Sequence, residues 1–574
     1  MDNTENDLAK RIVKELGELE SKRKPLENVW QSIMEMVDPA NAFINREYSA
    51  ENMFKEDLYS TSALRAIPKF VAALQSTVTP PNEQWHRLIP PTRKLKKDQA
   101  CISWLEELAE DLFERRYRPA AGFNKAIIKI WYSMAKIGVG CMFIDEASDG
   151  TGAEYTCVNM KDFYVSLYDN GQIKKCYRKL KKSFWELCED LEDKGVNPQE
   201  VIPVEIYNRC KLSPNSELNL IHAVKKLSNK EVSAFAIDMP KVAGGVEKIK
   251  RRYAHYLVLA DGGRPVVLHS GFFFTCPYMF ARFKELDYDI YSNSPSMQGL
   301  PDIQMLQRMR KSMIEAGEKA VDPTILAKQD AAMGGIEPVA GAIIPGGLDD
   351  QGKETIKALQ VTGSAALGVD LEELITKGIE DFYLVPLYMM YYQEGKMTAT
   401  EINQRAMERA MLMSINVFPV ENELLSPMVA RELDIMERLE VLPPNMPKDL
   451  AALMNKDVPY YAIQYEGEQH KAQEIIKANG IMVTLEGAAS LSQYEPTIGL
   501  AIKGYDCLST LGRANGMPMD HLLTQKEYKK VTDDLKTQQA AQQQAAAAAI
   551  DPRAAETAGN TADRYQQQLA SMRY

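Results

Sequence analysis

Histidine, cysteine and paired carboxylates do most protein chemistry, and this sequence spaces them for little of it. The six histidines are His86, His222, His255, His269, His470 and His521. None forms H-E-x-x-H and none sits beside cysteine at zinc-ligand spacing. Each is expected to be a packed or exposed residue. The eight cysteines (Cys101, Cys141, Cys157, Cys176, Cys188, Cys210, Cys276, Cys507) contain no C-x-x-C. Spread so thinly, they read as reduced thiols rather than a disulfide framework. Gly395-Lys396-Met397-Thr398 imitates the end of a phosphate loop, but Met390 stands where the first glycine belongs. Gly138-Val139-Gly140 is a lone G-x-G and reads as a close-packed turn. Glu106-Glu107 with Glu110-Asp111 reads as a solvated helix face. No catalytic residue, metal ligand or cofactor is therefore expected. That absence points to a structural or assembly protein.

The chain has 574 residues, with 68 Lys+Arg against 79 Asp+Glu and a formal charge of −11. An acidic chain is not a general nucleic-acid coat, but it can let nucleic acid pass without gripping it. At roughly 100–200 residues per domain the length allows several domains or one elongated protomer. The N-terminus is charged and amphipathic, unlike a signal peptide. No window approaches about 18 uncharged apolar residues, so no membrane span is expected.

Apolar periodicity predicts helices over 5–37 (interrupted by Pro25), 61–77, 101–118 and 122–137. After Gly140, short runs predict strands at 141–145, 154–158, 163–168 and 174–180. A helix follows at 182–194. From 201 to 288 the runs VIPVEIYNRC, LNLIHAVKK, VSAFAID, YAHYLVLA and PVVLHSGFFF read as a mostly β block. Residues 300–321 form a helix striped by Ile303, Leu306, Met309, Met313, Ala316 and Ala320, a Met-rich core stripe. Residues 322–352 are rich in Gly and Pro and read as a small β-rich insertion. In the next helix, 369–386, Leu371, Leu374, Ile375, Ile379, Phe382 and Val385 line one side. A loop at 387–397 precedes Thr398-Ala399-Thr400-Glu401, a capping box opening a long helix to about 440. Pro419 and Pro427 should bend or break it. Residues 466–515 suggest several short helices, and Gln538–Ala549 a Gln/Ala helix stopped by Pro552, with 553–574 loosely ordered. The fold class is α+β, mainly helical.

Five local patterns fall in a distinctive order. They are Arg23-Lys24-Pro25 before Trp30 and Asp38-Pro39; Thr61-Ser62-Ala63 through Leu74 to Pro80-Pro81 and Trp85; and Phe123 through Trp131 to Gly138 and Gly140. The others are Tyr291-Ser292-Asn293-Ser294-Pro295 with Leu300-Pro301-Asp302-Ile303, and Thr398-Ala399-Thr400-Glu401-Ile402. Together the sequence resembles the portal, or head-to-tail connector, proteins of short-tailed double-stranded-DNA phages. It departs from them at Ser292, where the family often has Gly.

The resemblance implies a portal fold of wing, stem, clip and crown. Copies, usually twelve, form a ring with an axial channel at one capsid vertex. It divides the chain into wing (1–297), first stem helix (298–321), clip (322–368), second stem helix (369–386), tunnel loop (387–397), long kinked wing helix (398–465), crown (466–537) and Gln/Ala-rich tail (538–574). The ring would conduct double-stranded DNA during packaging and ejection. Its partners would be further copies of itself, the terminase large subunit, then a tail adaptor, with major capsid and scaffolding proteins around it, and no membrane. It would assemble in the host bacterial cytoplasm and reside in the virion. Lys377, Glu380 and Asp381 would face the stem channel. Met389, Met390, Tyr391, Tyr392 and Lys396 would form the tunnel loop, and Pro323, Ile325, Ile343 and Ile344 the docking clip. The alternatives are that the charged residues are solvated surface and that the loop residues are packing anchors. At the level of the whole protein they are another phage head–tail part, such as a tail tube or internal core protein, or an enzyme with an unrecognised site on the β block.

Overall fold

Leu8, Ile12 and Leu16 recur at helical spacing because they cover a sheet. In the computed structural model they lie on α1 (Asn3–Val37), which runs unbroken through Pro25. The structure describes residues 3–47, 58–147, 149–228, 236–239, 247–250, 252–286, 289–321, 325–327, 348, 351, 354, 356–358, 365–386, 412, 419–456, 458–466, 468–492, 494–495, 502–514, 517, 523 and 525–548. Two compact units divide them. One holds residues 1–87, 108–444 and 455–458; the other holds 88–107, 445–454 and 459–574.

In the first unit, α2 (Ser62–Val78), α3 (Gln99–Arg116, whose first residues belong to the second unit) and α4 (Phe123–Ile137) precede the strands. These are β1 (Val139–Glu146), β2 (Ala153–Val158), β3 (Phe163–Leu167) and β4 (Ile173–Ser183). Ser183 then caps α5 (Phe184–Asp193) with a full capping box to Glu186. The run 201–210 is helical, not a strand as its composition suggested: α6 spans Val204–Lys211 after a short helical turn at Pro198–Val201. Pro198 and Pro203 preset helical starts, and Ile206 and Cys210, four apart, are the residues that bury. Four further strands are β5 (Glu217–Lys226), β6 (Tyr253–Leu259), β7 (Val266–Phe273) and β8 (Tyr278–Arg282).

Five strands form an antiparallel sheet in the order β7-β6-β5-β4-β3, and three more a sheet in the order β8-β1-β2. The larger sheet is covered on both faces. Ala9, Ile12 and Leu16 of α1 pack on Tyr164, Tyr177, Ile221 and Val258. Opposite, Phe184, Leu187, Ile206 and Cys210 pack on Leu218, Leu220, Leu257 and Leu259. The alternation along β5 sets this register, because successive side chains point to opposite faces. Arg23 explains its motif: buried, it donates to the carbonyls of Met160 (2.9 Å), Lys161 (2.9 Å) and Phe163 (2.5 Å) and stacks 3.6 Å over Tyr164.

On the α5–α6 face the registers place His222, His255 and His269 diagonally across β5, β6 and β7. Neighbouring ring centroids are 5.5 Å apart, and His222 Nδ1 meets the Tyr278 hydroxyl at 2.6 Å. Gly271 leaves the room: a Cβ there would lie 2.4 Å from His255 Nε2. Burial drives all three below the ordinary imidazole range, aided by their neighbours, and His255 falls to about 4.

Later elements in this unit are α7 (Leu300–Val321), the paired strands β9 (Ile325–Ala327) and β10 (Ile356–Ala358), and α8 (Ala365–Phe382). The interruption expected at Pro419 and Pro427 is a π-helical segment, Glu421–Leu425, opening directly into α9 (Ser426–Arg438). Pro427 has no N–H, and the Ser426 N–H reaches back five residues to the Glu421 carbonyl. The expected capping box at Thr398–Glu401 lies outside the described residues.

Charged pairs clasp this late segment onto the early sheet. Arg116 Nε and Nη2 donate to Glu432 at 2.9 and 2.5 Å, and the Tyr155 hydroxyl donates to the same carboxylate. Both charged side chains are buried, with 0% and 2% exposure. Arg282 Nε donates to both oxygens of Glu423 at 3.0 and 3.2 Å, and Arg431 Nε to the Ile144 carbonyl of β1 at 3.4 Å.

In the second unit the range 466–515, expected as several short helices, holds one long helix, α10 (Glu468–Leu491), packed on a shorter one, α11 (Gly504–Ala514). The Gln/Ala run is the end of α12 (Gln525–Ala548). Tyr505 joins α11 to it through Tyr528, 5.4 Å between centroids.

Removing one partner of a buried ion pair leaves the other charge unpaired. Glu432→Ala should therefore cost about 3–5 kcal/mol, read as a lowered urea midpoint; an unchanged midpoint would contradict the clasp. Acid should also weaken the fold in two windows. The histidines are held neutral, so stability falls as pH drops below 6.5 toward about 4. Partial burial raises Glu15, but hydrogen bonds from Lys175, Tyr177 and Arg11 outweigh it and hold the carboxyl at about 2. Its contribution is complete above 4.5 and lost toward about 2. Thermal midpoints measured from pH 7 to 3 should fall through both windows, with Glu15→Gln flattening only the lower one.

Candidate functional site

The last carbonyls of a helix have no intrahelical partner. At the end of α4 two of them are met by serines far along the chain. Ser294 Oγ donates to the Lys136 carbonyl at 2.8 Å, and Ser296 Oγ to the Ala135 carbonyl at 2.7 Å. Ser294 also accepts from the Met297 N–H at 2.9 Å, capping the short helix Pro295–Gln298 that leads into α7. Ser296 Oγ meets the hydroxyl of Tyr383, just past α8, at 2.7 Å. Gly138 lets this segment approach: its φ is +78°, and a Cβ there would lie 2.8 Å from the Asn293 carbonyl carbon. Ser292, the departure from the family pattern, is buried. Its hydroxyl accepts from the Lys284 N–H at 2.7 Å and donates to the Lys284 carbonyl at 2.6 Å.

From this junction α7 and α8 rise as an antiparallel hairpin. Ile303, Leu306, Ile375 and Ile379 bury at its base. Higher up, Arg310 Nε donates to Glu372 Oε1 at 2.6 Å, and Gly368 sits against Met313. Gln307 forks onto the main chain before α2, accepting from the Tyr59 and Ser60 N–H groups at 2.8 Å each. Lys69 of α2 pairs with Glu380 at 3.0 Å. The Met-rich stripe of α7 is buried only at Ile303 and Leu306; Met309, Met313 and Ala316 are half-buried and Ala320 is exposed. Leu371 and Leu374, expected to bury with Ile375, are 47% and 69% exposed. The apolar stripe of α8 is wider than its contact with α7.

The structure does not bring Lys377, Glu380 and Asp381 into one constellation. Lys377 is exposed and pairs with Glu373 one turn back at 2.8 Å, which raises the Lys377 pKa and lowers that of Glu373. Glu380 is turned to Lys69 of α2, and Asp381 is exposed. Ile325 opens β9 opposite Ala358. Pro323, Ile343, Ile344, Met389, Met390, Tyr391, Tyr392 and Lys396 lie outside the described residues. The serine moorings and the Arg310–Glu372 and Gln307 contacts were missed from sequence. Their one local signal is the repeated serine of Ser292-Asn293-Ser294-Pro295-Ser296.

A cavity of about 600 Å³ lies between the end of α1, α2, α4 and β2; its Lys136 is paired with Asp38 at 2.5 Å. Among the described residues no group of three or more His, Cys, Asp and Glu is arranged to hold a metal ion, and no helix is long and apolar enough to cross a membrane.

A probable portal protein of Bordetella phage BPP-1 is 20% identical over 442 residues, 76% of each chain. A chain from the virion of a native gene transfer agent particle is 10% identical with a TM-score of 0.34, covering 82% of this chain and 93% of that one. One from the neck of an empty gene transfer agent particle is 10% identical with a TM-score of 0.33, covering 77% and 90%. Residues 9–523 match the family described as bacteriophage head to tail connecting protein, and the chain belongs to that family.

Proposed function

We propose that the protein is a phage portal: a ring at one capsid vertex that conducts double-stranded DNA and docks terminase, then a tail adaptor. The observation that carries this reading is the α7–α8 hairpin, moored at its base to α4, with residues 322–364 inserted between its helices. Family membership and a relative named a probable portal protein support it. In this reading α7 and α8 are the stem and residues 322–364 the clip. The second stem helix starts at Ala365, slightly earlier than its apolar pattern suggested. Residues 387–397 are the tunnel loop, the second unit contributes the crown, and the work is structural rather than catalytic.

The charge fits a conduit. A wall that neutralised many phosphates would release counterions and hold DNA tightly. A chain of net charge −11 makes a ring that repels the duplex on balance, with local cations steadying it. Lys377, already paired with Glu373, is a buffered cation of this kind.

Two outcomes are expected. Deleting residues 322–364 with a short Gly/Ser bridge should leave particles of normal mass that no longer retain terminase or tail adaptor in co-sedimentation; retention at the full-length level would place docking elsewhere. Lys377→Ala should assemble with an unchanged thermal midpoint yet lower the yield of DNA-filled heads severalfold. Normal filling would remove Lys377 from the channel.

A further inference from the structure

The two sides of the hairpin are not alike. Gln307 and Glu380 both face the α2 side, through Tyr59–Ser60 and Lys69. Residues seven apart on a helix share a face, so Ile314 and Val321 continue the Gln307 line on that side. They are 47% and 88% exposed. Residues nine apart are two and a half turns apart and face opposite ways. Leu371 therefore points away from α2, since Glu380 points toward it. Leu374, three residues on, lies beside Leu371, and Met305, two residues before Gln307, falls on the same far side. Met305 is 46% exposed.

We propose that these two faces are the halves of one seam, with Ile314 of one copy packing against Leu371 and Leu374 of the next. The inference rests on the ring reading above and names the surface that would close it. The occupant is a second copy because each face is the apolar complement of the other. The faces also lie on opposite sides of the same rigid pair. Two different patches on opposite sides make a head-to-tail contact, which closes into a ring when its rotation divides a full turn, whereas a two-fold dimer joins a patch to itself. Lys311 stands beside Ile314 and Asp370 beside Leu371. The pairing of Arg310 with Glu372 and of Met313 with Gly368 puts them at the same height, so stacking brings opposite charges together.

The test uses the full chain and native mass spectrometry at a concentration where the wild type assembles. Leu374→Asp and Ile314→Asp each disable one face and should each abolish the ring. Mixed in equal amounts, they should give a two-copy particle and nothing larger, because each variant keeps the face the other has lost. Both substitutions are on exposed positions, so their thermal midpoints should match the wild type. If either one melts early, Leu374→Gln and Ile314→Gln replace the pair. Rings from either variant at wild-type yield, or a mixture that stays monomeric, would overturn the seam while leaving the ring reading intact. A wild-type chain that never assembles would overturn the ring reading itself.

Discussion

The carbonyls of Ala135 and Lys136 end α4 without intrahelical partners, and the way they are satisfied ties the molecule together. Two serine hydroxyls, some 160 residues along the chain, meet them. The same short segment caps the lead-in to α7 and holds Tyr383 at the end of α8. It can come so close only because Gly138 has no Cβ and a positive φ. One junction therefore fixes the base of the hairpin against the end of α4.

A second constraint acts from the other end of the chain. The π-helical turn and α9 are held to α3, β2 and β8 by buried or half-buried charges, Arg116 and Tyr155 with Glu432 and Arg282 with Glu423 foremost. Buried pairs contribute little net stability but are costly to mispair, which makes them good at fixing register. These contacts hold the late helix to the same body that moors the hairpin.

Much of this was legible in the sequence and some was not, for physical reasons. Helices with a one-sided apolar stripe and strands bounded by glycine were readable because burial imposes their period, as in α4 and β4–β5. The run 201–210 misled because Val, Ile and Tyr favour strands, while two prolines and the spacing of Ile206 and Cys210 decided for helix. The order of motifs pointed to the family, but not to the reasons behind the motifs. Arg23 caps three carbonyls at 160–163, and Ser294 and Ser296 cap a helix end, which are contacts between segments more than a hundred residues apart. The channel candidates were read from polarity along α8, and polarity does not reveal partners. Lys377 finds Glu373 and Glu380 finds Lys69. Leu371 and Leu374 looked like core in the sequence because a stripe awaiting another copy has the same pattern as one already buried.

A two-helix hairpin, an insertion between its helices and a net charge of −11 all fit the proposed ring of copies around a passage. Light scattering joined to negative-stain imaging of the purified chain tests that claim most directly. The account predicts a closed ring with an axial channel and a mass many times that of one chain, narrowing at one end where residues 322–364 gather. A compact particle of one or two copies under all conditions that keep it folded would contradict it.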